Sequence, residues 1–97
     1  MPILSFTDSN TEEYYKTGRI KKGVSWASLS KIVKRKLDML NYAHRLEDLK
    51  APPGNQLEAL QRELKGWHSI RVNDQWRIVF KWTPEGARDV RVMDYHS

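Results

Sequence analysis

Apolar and polar positions alternate most strongly between Gly66 and Trp82. Trp76, Ile78, Phe80 and Trp82 share one parity, and Arg77, Val79 and Lys81 share the other. Before the polar turn, Ile70 and Val72 are apolar and Arg71 points away from them. Two such runs about a turn predict a β-hairpin. A three-residue loop, Asn73-Asp74-Gln75, sets Val72 opposite Trp76, Ile70 opposite Ile78 and Arg71 opposite Arg77. A two-residue loop sets Ile70 opposite Arg77 and mixes the faces, which a half-buried sheet resists. The three-residue loop is therefore favoured, although such loops usually place Gly where Gln75 would sit. It makes two arginines face each other, which destabilises a sheet unless an anion lies between them.

The remaining elements follow from weaker patterns. Pro2-Ile3-Leu4-Ser5-Phe6 reads as a short first strand. Ser9 with Glu12, or Asn10 with Glu13, has capping-box spacing for a brief helix that Gly18 ends. Arg19-Ile20-Lys21-Lys22-Gly23 is a basic loop. A long helix is expected from near Ser25 or Ser28 to about Leu49. Its apolar stripe is Leu29, Ile32, Val33, Leu37, Leu40, Ala43 and Leu46. Pro52-Pro53-Gly54 stops it. Leu57, Leu60 and Leu64 belong either to a single helical turn or to an irregular arm packed on the sheet. After a turn at residues 83–87, residues 88–95 form a last strand. The order β-α-α-β-β-β predicts one α+β domain over residues 1–97, with two helices on a small, mainly antiparallel sheet. The helices are expected to cover the Trp76, Ile78, Phe80 face and to leave the arginine face more open.

Ninety-seven residues allow one core. Lys and Arg total 17 against 12 Asp and Glu, a formal charge of +5 that favours a polyanionic partner. The absence of cysteine excludes disulfides and thiolate metal sites and fits a reducing cytoplasm. No basic-then-apolar leader is evident, and no apolar run approaches the ~18 residues of a membrane span. On the helix, Lys31, Lys34 and Arg35 lie mostly off the apolar stripe, as a solvated face or as a cationic surface for RNA.

Extending the register through a five-residue second loop puts Phe80 opposite Val90 and Ile78 opposite Val92. Arg77 then lies opposite Met93 and diagonal to Tyr95. Arg71, Arg77 and Tyr95 should converge, joined by His96 if the strand twists or ends there. Such a group suits phosphodiester chemistry on RNA without a metal. Arginine offers a fork of donors to a phosphate and to the charge of its transition state. Histidine exchanges protons near neutrality, and a tyrosine can orient a 2′-oxygen or stack on a base. The plainer reading pairs Arg71 and Arg77 with Asp74 or Asp94 and makes Tyr95 a packing residue. His44, His68 and His96 have no metal-ligand spacing.

The run Ser69-Ile70-Arg71-Val72-Asn73-Asp74-Gln75-Trp76-Arg77-Ile78, with the terminal Asp94-Tyr95-His96, resembles the HigB-type toxins of the RelE superfamily. The opening strand, Pro52-Pro53-Gly54-Asn55, residues 57–60 and Lys65-Gly66 extend the likeness over nearly the whole chain. The resemblance implies a RelE-like fold and the toxin of a type II toxin–antitoxin pair. Its activity would be that of a ribosome-dependent endoribonuclease cutting mRNA in the A site of the 70S ribosome. Its implied partner is a HigA-type helix-turn-helix antitoxin, through which alone it would reach operator DNA. By the same resemblance Arg77 stabilises the phosphate and His96 transfers protons, with Asp94 and Tyr95 flanking it and Arg71 as a second donor. Glu58 and Gln61 stand where some relatives have His and Lys, and Lys65 could supply the missing charge. Lys31, Lys34, Arg35, Lys65 and Arg91 complete the expected RNA-binding set. Two other readings compete: a non-catalytic toxin of the same fold that binds gyrase or the ribosome, and a basic RNA-binding module that acts by occupancy.

Overall fold

The computed structural model describes residues 2–95. Helix α1 spans Ser9–Thr17 and helix α2 spans Ser30–Tyr42. Four antiparallel strands follow: β1 (Glu58–Ala59), β2 (His68–Arg71), β3 (Trp76–Thr83) and β4 (Gly86–Asp94), lying side by side in that order. Helix α2 lies across β3 and β4, and α1 lies on β4. This is a two-layer α+β domain. No helix among the described residues is long and apolar enough to cross a membrane.

The core forms where the helical stripe meets one sheet face. Val33, Leu37 and Leu40 of α2 are fully buried against Ile70, Ile78, Phe80 and Val90. Each large apolar side chain so buried contributes roughly 1.5–3 kcal/mol.

The first hairpin has the three-residue loop, with Ile70 opposite Ile78 and Arg71 opposite Arg77. Gln75 needs no left-handed backbone: the described non-glycine residues with positive φ are Gln56, Arg62 and Asp89. Asn73 closes the turn instead, its Oδ1 accepting the amides of Gln75 (2.9 Å) and Trp76 (2.8 Å).

Several boundaries differ from the sequence reading. Residues 2–6 do not form a ladder strand; Ile3 and Phe6 make single parallel bridges to Ala87 and Val90 of β4. The cap of α1 is Asp8, whose carboxylate accepts the Asn10 amide at 3.0 Å, one residue before Ser9 and two before Asn10. Gly18 does end α1, at φ 79°. Helix α2 stops at Tyr42 rather than near Leu49 because Ala43 turns extended. The Asp48 carboxylate then collects the amides of His44 and Arg45 at 2.9 and 3.1 Å, starting a separate 3₁₀ turn over Leu46–Lys50. These two donors hold the Asp48 carboxyl below its usual pKa. The second hairpin turns at Pro84-Glu85, with Thr83 paired to Gly86, not through a five-residue loop. The one-residue offset is taken up by a bulge between Val79 and Lys81, and Asp89 on the facing strand sits at φ 55°. Ile78 therefore still meets Val92, and Arg77 still meets Met93.

The arginine face is not open, contrary to expectation. Ser69 and Val79 are fully buried there, and Leu60 is nearly so. Residues 56–65, which supply β1 and a 3₁₀ turn at Arg62–Leu64, run along the sheet edge and over this face.

Candidate functional site

Strand parity places Arg71, Arg77 and Met93 in one row on the outer face, with Tyr95 just past the end of β4. A cleft of about 240 Å³ opens there, lined by Arg71, Arg77, Tyr95, Gln56, Glu58, Asn73 and Asp74. The structure thus brings together three of the expected site residues.

Their environments differ sharply. Arg77 is only 8% exposed, and its fork is already engaged. Nε donates to Ser69 Oγ at 2.6 Å, and Nη2 donates to the Gln56 carbonyl oxygen at 2.6 Å. Its guanidinium lies 5.8 Å from the centre of the Tyr95 ring, a cation–π contact. Burial lowers the Arg77 pKa; Glu58 and Tyr95 oppose that shift, and Arg71 adds to it. An arginine nevertheless stays charged. Arg71 is partly exposed and ion-paired to Asp74, which is almost wholly in solvent. The plainer pairing with Asp74 is therefore present for Arg71 and not for Arg77.

Other expected residues fall elsewhere. Asp94 lies opposite Trp76 and shares the parity of Val90 and Val92, so it belongs to the other face. There it accepts from Gln75 Nε2 at 3.1 Å, while the Tyr95 amide donates to the Gln75 carbonyl at 2.7 Å. These bonds tie the end of β4 to the hairpin turn. His96 lies outside the described residues. Lys65 is exposed and does not line the cleft. Lys31, Lys34 and Arg35 sit on α2, which packs on the opposite sheet face, so they do not extend the arginine cleft. Lys34 is committed to Asp38 at 2.8 Å and lies 5.1 Å from the Tyr15 ring. Arg91 is on the outer face; its Nη2 meets Met93 Sδ at 3.4 Å, and its buried Nε has no hydrogen-bond partner among the described residues.

The sequence reading missed Ser69, Gln56 and the wider setting of Glu58. Glu58 and Tyr95 also line a second cleft of about 540 Å³ formed by residues 58–64, so the two clefts adjoin. A small polar residue two positions before Arg71, on the same strand face, was the available signal for Ser69. The left-handed Gln56, at φ 44°, had none.

His68 lies across the sheet from Phe80, their rings 6.2 Å apart and stacked. Its Nδ1 is buried without a partner among the described residues, and burial lowers its pKa from 6.5. The fold therefore favours neutral His68, and this contribution is lost as pH falls below the unfolded value. Between about pH 7.5 and about pH 5.5 the wild-type melting temperature should drop more than that of His68→Phe. Parallel curves from thermal melts would refute this. Among the described residues no group of three or more His, Cys, Asp or Glu is placed to hold a metal ion.

Residues 4–96 match the family model described as the RelE-like toxin of the type II toxin–antitoxin system HigB. The chain is 40% identical over 94 residues to Toxin HigB-1 of Vibrio cholerae, covering 97% of each protein. The chain belongs to the HigB-like toxin family. A second family-sized relative, an uncharacterized protein of Haemophilus influenzae, is 33% identical over 92 residues, covering 95% of this chain and 89% of that protein. Among solved structures, a YoeB/ParE toxin from Agrobacterium tumefaciens superposes with a TM-score of 0.53 at 17% identity, covering 99% and 100% of the two chains. The YoeB-YefM complex from Staphylococcus aureus gives 0.54 at 18% identity, covering 100% of both. At these identities the structural matches establish the fold alone. This HigB-like chain is thus a RelE-family toxin of the type II toxin–antitoxin class.

Proposed function

We propose that the protein is a ribosome-dependent endoribonuclease that cuts mRNA in the A site and so inhibits translation. The observation that carries this reading is the convergence of Arg71, Arg77 and Tyr95 on one cleft. In the proposed step, a 2′-hydroxyl loses its proton and its oxygen attacks the neighbouring phosphorus. The bond to the 5′-oxygen breaks, leaving a 2′,3′-cyclic phosphate and a 5′-hydroxyl. Arg77, fixed by Ser69 and Gln56, faces the developing charge, and Arg71 joins it by exchanging Asp74 for phosphate. Tyr95 orients the nucleotide. Glu58, a carboxylate of the same cleft, accepts the 2′-proton, and His96 supplies one to the leaving oxygen. Asp94 holds the end of β4 through Gln75, a supporting place in this scheme.

The family's type II class supports an antitoxin partner, which we take to be a HigA-type helix-turn-helix protein that carries the pair to operator DNA. The toxin itself would act on the 70S ribosome and mRNA in the cytoplasm. Arg91 and Lys65 remain candidates for RNA contact beyond the cleft, and Lys31, Lys34 and Arg35 for ribosome contact from the helical side.

Primer extension on a ribosome-bound message tests the proposal. The wild type should cut only on ribosomes, and removal of His96 and Ser97 should slow cutting by roughly 10²–10⁴-fold. Equal cutting of naked RNA would overturn ribosome dependence. Inhibition of gyrase supercoiling with no cut message would favour the non-catalytic alternative.

A further inference from the structure

Helix α2 carries a lysine where its apolar stripe requires a hydrophobic residue. Lys36 lies three residues after Val33 and four before Leu40, and it is only 6% exposed. No carboxylate among the described residues pairs with it. Its ammonium instead donates to Oδ1 of Asn55, which is itself fully buried. Asn55 spends its amide protons on the loop that bears it: Nδ2 donates to the carbonyls of Leu49 at 3.2 Å and Ala51 at 3.3 Å. The next residue, Gln56, takes a left-handed backbone, φ 44° and ψ 57°, and its carbonyl receives Arg77 Nη2.

Each link in this line is costly by itself. A buried ammonium without a counter-ion is expensive, and burial, with the charges of Arg35 and Arg71, keeps the Lys36 pKa below its ordinary value. A left-handed non-glycine residue persists only where its surroundings over-determine it. Packing alone would be served better by Leu or Met at position 36. The one feature the line delivers at its far end is a carbonyl oxygen 2.6 Å from the guanidinium of the cleft.

We propose that Lys36 is a positioning residue, which through Asn55 fixes the Gln56 carbonyl and thereby the orientation of Arg77. The inference rests on the proposed cleavage activity for its kinetic consequence, but not for its structural one. The chain of contacts crosses from the helical layer to the outer sheet face, linking a core residue to the cleft without touching RNA.

The test uses Lys36→Met, Asn55→Ala and their double variant in the full chain. In ¹⁵N NMR the Arg77 Nε–H signal should shift and lose exchange protection in Lys36→Met, while the core amides keep theirs. In primer extension kcat should fall by up to about a hundredfold, with KM within about twofold. The double variant should lose no more than the worse single variant, since both break one line. An unchanged Arg77 signal in Lys36→Met would overturn the proposal, as would additive kinetic losses or a kcat loss matched by general unfolding. If the wild type proves not to cut RNA, the cleavage reading fails and the NMR result still decides the tether. If Asn55→Ala does not fold, Lys36→Met alone carries that decision.

Discussion

Arg77→Ala is expected to reduce the proposed mRNA cleavage by a factor of roughly 10²–10³ or more and to weaken the fold at the same time. The double effect follows from burial. The side chain is 8% exposed and satisfies Ser69 Oγ, which has no contact with solvent of its own. A buried hydroxyl stranded in this way costs about 1–3 kcal/mol, partly offset by release of a desolvated charge. Arg77→Lys keeps the charge but cannot serve Ser69 and Gln56 together, because an ammonium lacks the planar fork. It should therefore recover stability better than activity. Urea titrations beside primer extension would separate the two effects, and full cleavage by Arg77→Ala would remove this residue from the site.

Gly86→Ala should detach the chain's opening segment. Gly86 adopts φ +143°, and a Cβ there would lie 2.2 Å from the Pro2 carbonyl oxygen and 3.4 Å from Leu4 Cγ. The first of those is backbone, engaged by the Ala87 amide at 3.2 Å, so it cannot move without breaking that bond. The adjoining bond from the Leu4 amide to the Ala87 carbonyl, 2.7 Å, would go with it. Strain and lost contacts together should lower stability by more than about 2 kcal/mol. Hydrogen exchange at the Leu4 amide would report the release. Retained protection and an unchanged unfolding midpoint would contradict the prediction.

Both predictions depend on details that the sequence revealed unevenly. The first hairpin was legible because parity leaves little choice: a slip of one residue would bury Arg77 in the helical core. The α+β class followed from the same alternation and the stripe of α2. The end of α2 was not legible, since Ala43, Leu46 and Leu49 keep helical spacing while a side-chain cap from Asp48 redirects the backbone. Apolar spacing there marked burial, not helix. Convergence of Arg71, Arg77 and Tyr95 could be read from register, but not the burial of Arg77, because Leu57, Leu60 and Leu64 in the covering segment fit a helical turn as well as an arm on the sheet. Lys36 was readable in principle, as a lysine on the apolar stripe. Its charge, like that of the exposed Lys31, Lys34 and Arg35 around it, reads by default as part of a solvated face.

The two facing arginines also respond differently to ionic strength. Arg71 holds Asp74 at the edge of solvent, where dissolved ions screen the pair within about 10 Å at 0.1 M salt. Arg77 is held by neutral oxygens inside the protein, where that screening barely reaches. Raising salt therefore loosens one side of the cleft and leaves the other in place. The site keeps a fixed half and an exchangeable half, and in the proposed step a phosphate competes with Asp74 for the exchangeable one alone.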